Sequence, residues 1–181
     1  MLLQIFSFVL DIVFGLLTSI CLLRLYMQIE RVPFGNPVGR LVFAFSDWLV
    51  LPLRRVVPAA RRWDPSCLVA ALLLQAVQYL LLWLLMAGSV PMAWVAWMAV
   101  FSVLRVALSA MMGLLIVYAV LSWVQTRSPI ADVITRLAEP LLRPLRRIIP
   151  IIGGIDLSVL VALVLLQVAM MVLGQLQMGM P

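Results

Sequence analysis

Four long apolar runs, separated by shorter stretches where charges and prolines collect, set the pattern of this chain. Met1 to Leu23 is interrupted by one charge, Asp11. Cys67 to Ala87 holds no charge, Met92 to Trp123 holds only Arg105, and Leu157 to Leu176 holds none. A helix needs about 20 apolar residues to cross the bilayer core, so each run predicts one span, at about residues 2–23, 66–87, 101–123 and 157–176. The third run exceeds what one span needs. Met92 to Val100, with Trp94 and Trp97, is therefore expected to approach along the membrane interface. The first run lacks the positive leading segment of a cleaved signal, its first basic residue being Arg24, so a retained helix is expected.

The intervening stretches have a pattern of their own. From Pro129 to Leu142 the chain reads PIADVITRLAEPLL. Ile130, Val133, Ile134 and Leu137 recur at helical spacing while Asp132, Arg136 and Glu139 fall on the other side. This predicts a short amphipathic helix at the membrane interface, with Pro140 and Pro144 expected to end it. Pro37 to Val50 is a greasier version, with Arg40 and Asp47 its only charges.

The likeness extends to the whole chain. Adding 92 to a position in the first half finds its counterpart in the second, with thirteen identities between residues 52–75 and 144–167. Pro52, Leu53, Arg54, Arg55 and Pro58 match Pro144, Leu145, Arg146, Arg147 and Pro150, while Asp64, Ser66 and Gln75 match Asp156, Ser158 and Gln167. Upstream, Tyr26 matches Tyr118 and Pro37 matches Pro129. The chain therefore reads as two tandem repeats, residues 1–92 and 93–181. Each holds two spans, an even number, so both copies enter the membrane in one orientation and the repeats are parallel. The expected fold is an all-α integral membrane protein of four transmembrane helices, with one interfacial amphipathic helix per repeat. Asp64 precedes Pro65, the favoured pair for a helix start, and by register Asp156 precedes the fourth span. Both aspartates are expected to be helix caps.

Charge orients this arrangement. The chain is 66% hydrophobic and 11% charged, with net charge +6, and all thirteen basic residues are arginine. Twelve lie in the two stretches between spans one and two and between spans three and four. By the positive-inside rule both stretches face the cytoplasm, and both termini and the short middle connection face the other side. Nucleic-acid binding is a poor account of the charge, because neither aromatic platforms nor a soluble basic domain accompany it. Histidine is absent and no Gly-rich phosphate loop is seen, so no enzymatic site and no cofactor are expected. Cys21 and Cys67 form no CxxC and read as small core residues.

The candidate chemistry is concentrated in a few polar positions. Arg54 and Arg55, Arg146 and Arg147, and Arg143 lie among prolines at the cytoplasmic surface. They suit anionic lipid headgroups first, at about 1 kcal/mol for each basic residue, with the carboxylates of a protein partner as the sharper second reading. Asp11 and Arg105 lie at similar depth in equivalent spans. They are expected either to pair across spans one and three or to stand as separate interfacial charges. Gln75 and Gln167 occupy matching sites and are expected to join helices by hydrogen bonds.

The stretch EPLLRPLRRIIPIIGGIDLS, followed by an apolar helix with Gln167, resembles the signature of the YggT family of small membrane proteins, and LSWVQTRSPIADVITRLAEP upstream fits it too. The first repeat resembles it more loosely, with Arg61-Arg62 in place of Gly153-Gly154 and Pro65 in place of Leu157. The resemblance implies a multi-pass protein of the bacterial inner membrane. It associates relatives with osmotic stress, with cell division or nucleoid organisation, and with cofactor assembly in plastid membranes. The function expected is that of a non-enzymatic accessory or scaffold protein, bound to anionic lipid and to a membrane or cytoplasmic partner, with a homo-oligomer compatible. The competing reading is an oligomeric channel or transporter subunit for ions, for which the buried polar inventory is thin.

Overall fold

The computed structural model describes residues 1–57, 64–85, 91–124, 128–147 and 156–178. These form six helices and, among the described residues, no strand. In chain order they are α1 (Leu2–Ile29), α2 (Pro37–Arg54), α3 (Pro65–Leu85), α4 (Ala93–Val124), α5 (Pro129–Arg146) and α6 (Leu157–Met178). Four of them, α1, α3, α4 and α6, are long and apolar enough to cross a membrane. Their outer surfaces carry Phe6, Phe8, Leu16, Leu84, Val120 and Met171 in the open. So much outward-facing apolar surface is stable only where lipid is the solvent. This is a multi-pass membrane protein.

Three boundaries differ from those the sequence predicts, each for a local reason. Span one does not stop near Leu23 but runs on to Ile29. It can carry Arg24 inside the bundle because the guanidinium donates to Ser46 Oγ at 2.6 Å and to Asp47 Oδ1 at 2.7 Å on α2. The third span takes in the expected interfacial approach. Ala93 to Val124 is one unbroken helix of 32 residues, and no Pro or Gly lies between Ala93 and Phe101 to interrupt it. Nor do prolines end the short helices: α2 runs through Pro52, and α5 through Pro140 and Pro144. An internal proline frees the carbonyl four residues before it. In α5 these carbonyls belong to Arg136 and Pro140, on the outer side of the helix, where solvent can satisfy them.

Local starts and stops follow ordinary rules. Asn36 accepts the Gly39 N–H at 2.8 Å and Ser128 accepts the Ala131 N–H at 3.1 Å, each just before a proline at the first helical position. A Cβ on Gly39 would lie 2.3 Å from the Phe34 carbonyl oxygen, so that turn needs glycine, whereas position 131 in the other half accepts alanine. Helix α1 ends with Arg31 at φ 54° and the Val32 N–H bonded to the Met27 carbonyl at 2.9 Å. This is a Schellman stop with arginine in the place usually given to glycine.

The core has three parts. Cys21, Val50, Cys67, Ala70, Ala71 and Leu74 pack α1, α2 and α3 together with Val103 of α4. Met27, Val32 and Val42 meet Val133 and Leu137 of α5, which joins the two halves. Leu115, Ala138, Leu142, Val159 and Ala162 close α4, α5 and α6. Small residues on α3 let it lie close between α1 and α4, the packing that helices in lipid use when no hydrophobic force draws them together.

Candidate functional site at the two span entrances

The arginine strings sit at the C-terminal ends of α2 and α5, where positive charge complements the helix dipole. In each string the two arginines have different fates. Arg54 turns inward to the start of α3, its Nε 2.5 Å from Asp64 Oδ2. Arg146 does the same at the start of α6, with Nε 2.9 Å and Nη2 2.6 Å from Asp156 Oδ2. Arg55 and Arg147 point outward and are exposed, as is Arg143. Each string thus splits into an inner anchor and an outer cation.

The two aspartates are held from both sides. Asp64 Oδ1 accepts the Ser66 N–H at 3.1 Å, while the Asp64 N–H donates to Gln28 Oε1 at 3.2 Å. Ser66 Oγ donates back to the Val57 carbonyl at 2.8 Å. Asp156 Oδ1 accepts the Ser158 N–H at 3.0 Å and also the Ser158 hydroxyl. One carboxylate therefore satisfies an orphan amide of its helix with one oxygen and grips an arginine with the other. Burial pushes the Asp156 carboxyl up, but the Ser158 hydrogen bonds and Arg146 outweigh it and hold the group below the usual carboxylate range. Burial lowers Arg146, and its bonds to Asp156 and Tyr118 more than restore it, leaving it raised.

The second anchor is the larger. Arg146 also donates to Glu139 Oε2 at 2.8 Å and to the Tyr118 hydroxyl at 2.7 Å. Tyr26, which holds the equivalent place in the first half, reaches across to donate to the Leu137 carbonyl at 2.8 Å. The turns containing Arg61-Arg62 and Gly153-Gly154 lie outside the described residues.

Inside the membrane the polar residues divide unequally. Gln75, on α3, donates to Thr18 Oγ1 of α1 at 2.9 Å and accepts from Ser102 Oγ of α4 at 2.6 Å, tying three helices. Gln167 is exposed and, among the described residues, has no hydrogen bond. The sequence explains the difference. Thr18 corresponds to Ala110, which offers no hydroxyl, and the described residues hold no further helix to stand where α4 stands against α3. Asp11 accepts from Gln78 Nε2 at 2.5 Å, and Arg105 is not its partner. Sequence reasoning missed the Arg24–Asp47 pair, because it placed Arg24 in a loop, and missed Thr18 and Ser102, whose hydroxyls are not repeated between halves.

A model of the CCB3/YggT family matches residues 3–85 and again residues 97–177. The chain belongs to the CCB3/YggT family. The two matched segments each contain one span entrance with its arginine–aspartate anchor. Among family relatives, the Escherichia coli K12 protein YggT is 37% identical over 90% of this chain and 85% of its own length. A Vibrio alginolyticus protein encoded in the proC 3′ region is 35% identical over 94% of each chain. No solved structure matches the chain.

Proposed function

We propose that this YggT-family protein is a non-enzymatic accessory or scaffold protein of the bacterial inner membrane that presents two arginine-bearing surfaces to the cytoplasm. Its halves are parallel repeats, with α2 and α5 as amphipathic helices at the cytoplasmic interface and both termini on the opposite side. The arginine distribution supports this orientation, since both anchored strings fall in the two Arg-rich connections.

The observation that carries the reading is the split within each Arg-Arg pair. An arginine tied to a capping aspartate fixes the end of one helix against the start of the next, so the adjacent outer cation is displayed from a defined position. Arg55, Arg143 and Arg147 are then the residues that meet anionic headgroups and the carboxylates of a protein partner. Arg54 and Arg146 set the frame for them.

The test is crosslinking and pull-down from native membranes with Arg55, Arg143 and Arg147 changed together to Gln. Capture lost while thermal unfolding stays unchanged supports the scaffold. Capture unchanged overturns it, as does ion flux through purified wild-type protein in liposomes, which would mark a channel. An alkaline-phosphatase fusion at Pro91 checks the orientation; activity is expected, and silence reverses the topology.

A further inference from the structure

Arg105 is the one intramembrane charge to which neither the anchors nor the core assigns a role. It lies twelve residues beyond Ala93, about 18 Å along α4. Among the described residues it makes no ion pair and no hydrogen bond. An unpaired arginine within a span is costly in lipid, and such residues mark ligand or ion paths. Arg105 borders a cavity of about 960 Å³ between α3, α4 and α6. That is at the upper end of the range of about 300–1,000 Å³ for small-molecule sites.

The lining has a definite chemistry. Besides Arg105 its polar groups are Tyr79, Trp94, Trp97 and Gln177, and no carboxylate is among its described residues. Tyr79 stands edge-on to Trp94 with ring centroids 5.7 Å apart, and Gln177 Nε2 donates to Met98 Sδ at 2.8 Å, tethering α6 to α4. Met170 and Leu173 supply an apolar wall. Gly174 adjoins them, and a Cβ there would meet nothing within 4 Å, so glycine is not required for close helix approach. What it provides is room.

We propose that this cavity binds one anionic phospholipid, with its phosphate on Arg105 and an acyl chain along Met170 and Leu173. A positive cavity with no acid of its own calls for an anionic ligand. Arg105 is itself exposed on a helix long and apolar enough to span the membrane, which gives a membrane-borne ligand direct access. Helical side chains lean toward the helix N-terminus, so the guanidinium reaches from its depth toward Trp94 and Trp97, where indoles meet headgroups. The proposal is independent of the cytoplasmic arginines and of which way the chain faces.

The full chain is reconstituted in nanodiscs of phosphatidylcholine with a minor fraction of phosphatidylglycerol, and retained lipid is counted by native mass spectrometry. Wild type should keep one phosphatidylglycerol per chain, enriched about tenfold over the bulk, the effect of one charge-assisted contact. Arg105→Gln should lose the enrichment and Arg105→Lys retain part of it. Gly174→Phe should lose the retained lipid with the charge still present, and it decides the matter if Arg105→Gln fails to fold. The variant lacking the three outer arginines should keep its lipid. Absence of enrichment in wild type, or equal enrichment in Arg105→Gln, overturns the proposal. So does preferential retention of added oleate, or a dimer that dissociates on Arg105→Gln, since the counter-charge would then come from a second copy.

Discussion

Asp64 and Asp156 stand 92 residues apart and grip equivalent arginines, yet the first side chain is 3% exposed and the second 19%. Around Asp64 the neighbouring acid of α2, Asp47, is engaged elsewhere, by Arg24 of α1. Around Asp156 the corresponding acid of α5, Glu139, joins the anchor itself. Position 116, the counterpart of Arg24, is isoleucine, so no cation from α4 competes for Glu139. One family pattern, matched twice, thus accommodates two networks. The first half spreads its charges over two sites, each with one buried member, while the second gathers them at one part-exposed arginine. Buried pairs depend on completeness, because removing one partner leaves a desolvated charge. Exposed pairs are individually weak and tolerate loss.

This contrast predicts a ranked series of effects, each measurable as a shift in reversible unfolding in mild detergent. Asp47→Asn strands Arg24, which is 2% exposed, and should cost about 3–5 kcal/mol. Glu139→Gln should cost under about 1 kcal/mol. Equal losses at the two positions would erase the distinction. Next come the caps. Asp64→Asn should cost about 2–3 kcal/mol, the loss of a buried charged acceptor, against under about 1 kcal/mol for Asp156→Asn. Asparagine still caps each helix, and Arg146 keeps Glu139 and Tyr118. Smaller again, Gln75→Leu should cost about 1–2 kcal/mol through its two interhelical bonds, while Gln167→Leu should be neutral or slightly stabilising.

The subtlest test uses acid. Asp156 has its carboxyl held below the ordinary value of 3.8, so its contribution is complete above that value and is lost as pH falls through the lowered one. The advantage of wild type over Asp156→Asn should therefore be constant from neutral pH down to about 4 and disappear below it. An advantage already lost well above pH 4 would show that the carboxyl is not held low.

Much of this could be read from the sequence because lipid imposes a simple code. Apolar runs near Cys67 and Leu157 announce their helices outright, since an uninterrupted apolar run of about 20 residues satisfies its backbone in lipid as a helix within the one segment. Asp64 and Asp156 could be singled out from their positions ahead of Pro65 and Leu157. Their arginine partners could not, because a guanidinium beside a membrane has good uses both inward and outward. Arg24 was hidden for a related reason: a charge at the edge of an apolar run normally marks the end of a span, and only Ser46 and Asp47, 22 and 23 residues away, allow it inside. Gln167 misleads in the opposite way, its repeat identity promising a bond that Ala110 cannot make. Prolines at four-residue spacing look like stops, yet they fall on the one side of α5 where freed carbonyls do little harm.

The unbroken course of α4 reaches beyond the position of Trp94 and Trp97. At 32 residues it is about 48 Å long, and α1 at 28 residues about 42 Å, whereas α3 and α6, at 21 and 22 residues, measure only about 32 Å. A hydrocarbon layer about 30 Å thick fits the short pair upright but obliges the long pair to lean or project. The mismatch falls on α1 and α4 alone. A bilayer of changed thickness therefore suits one pair better than the other, and the bundle meets its membrane with two lengths at once.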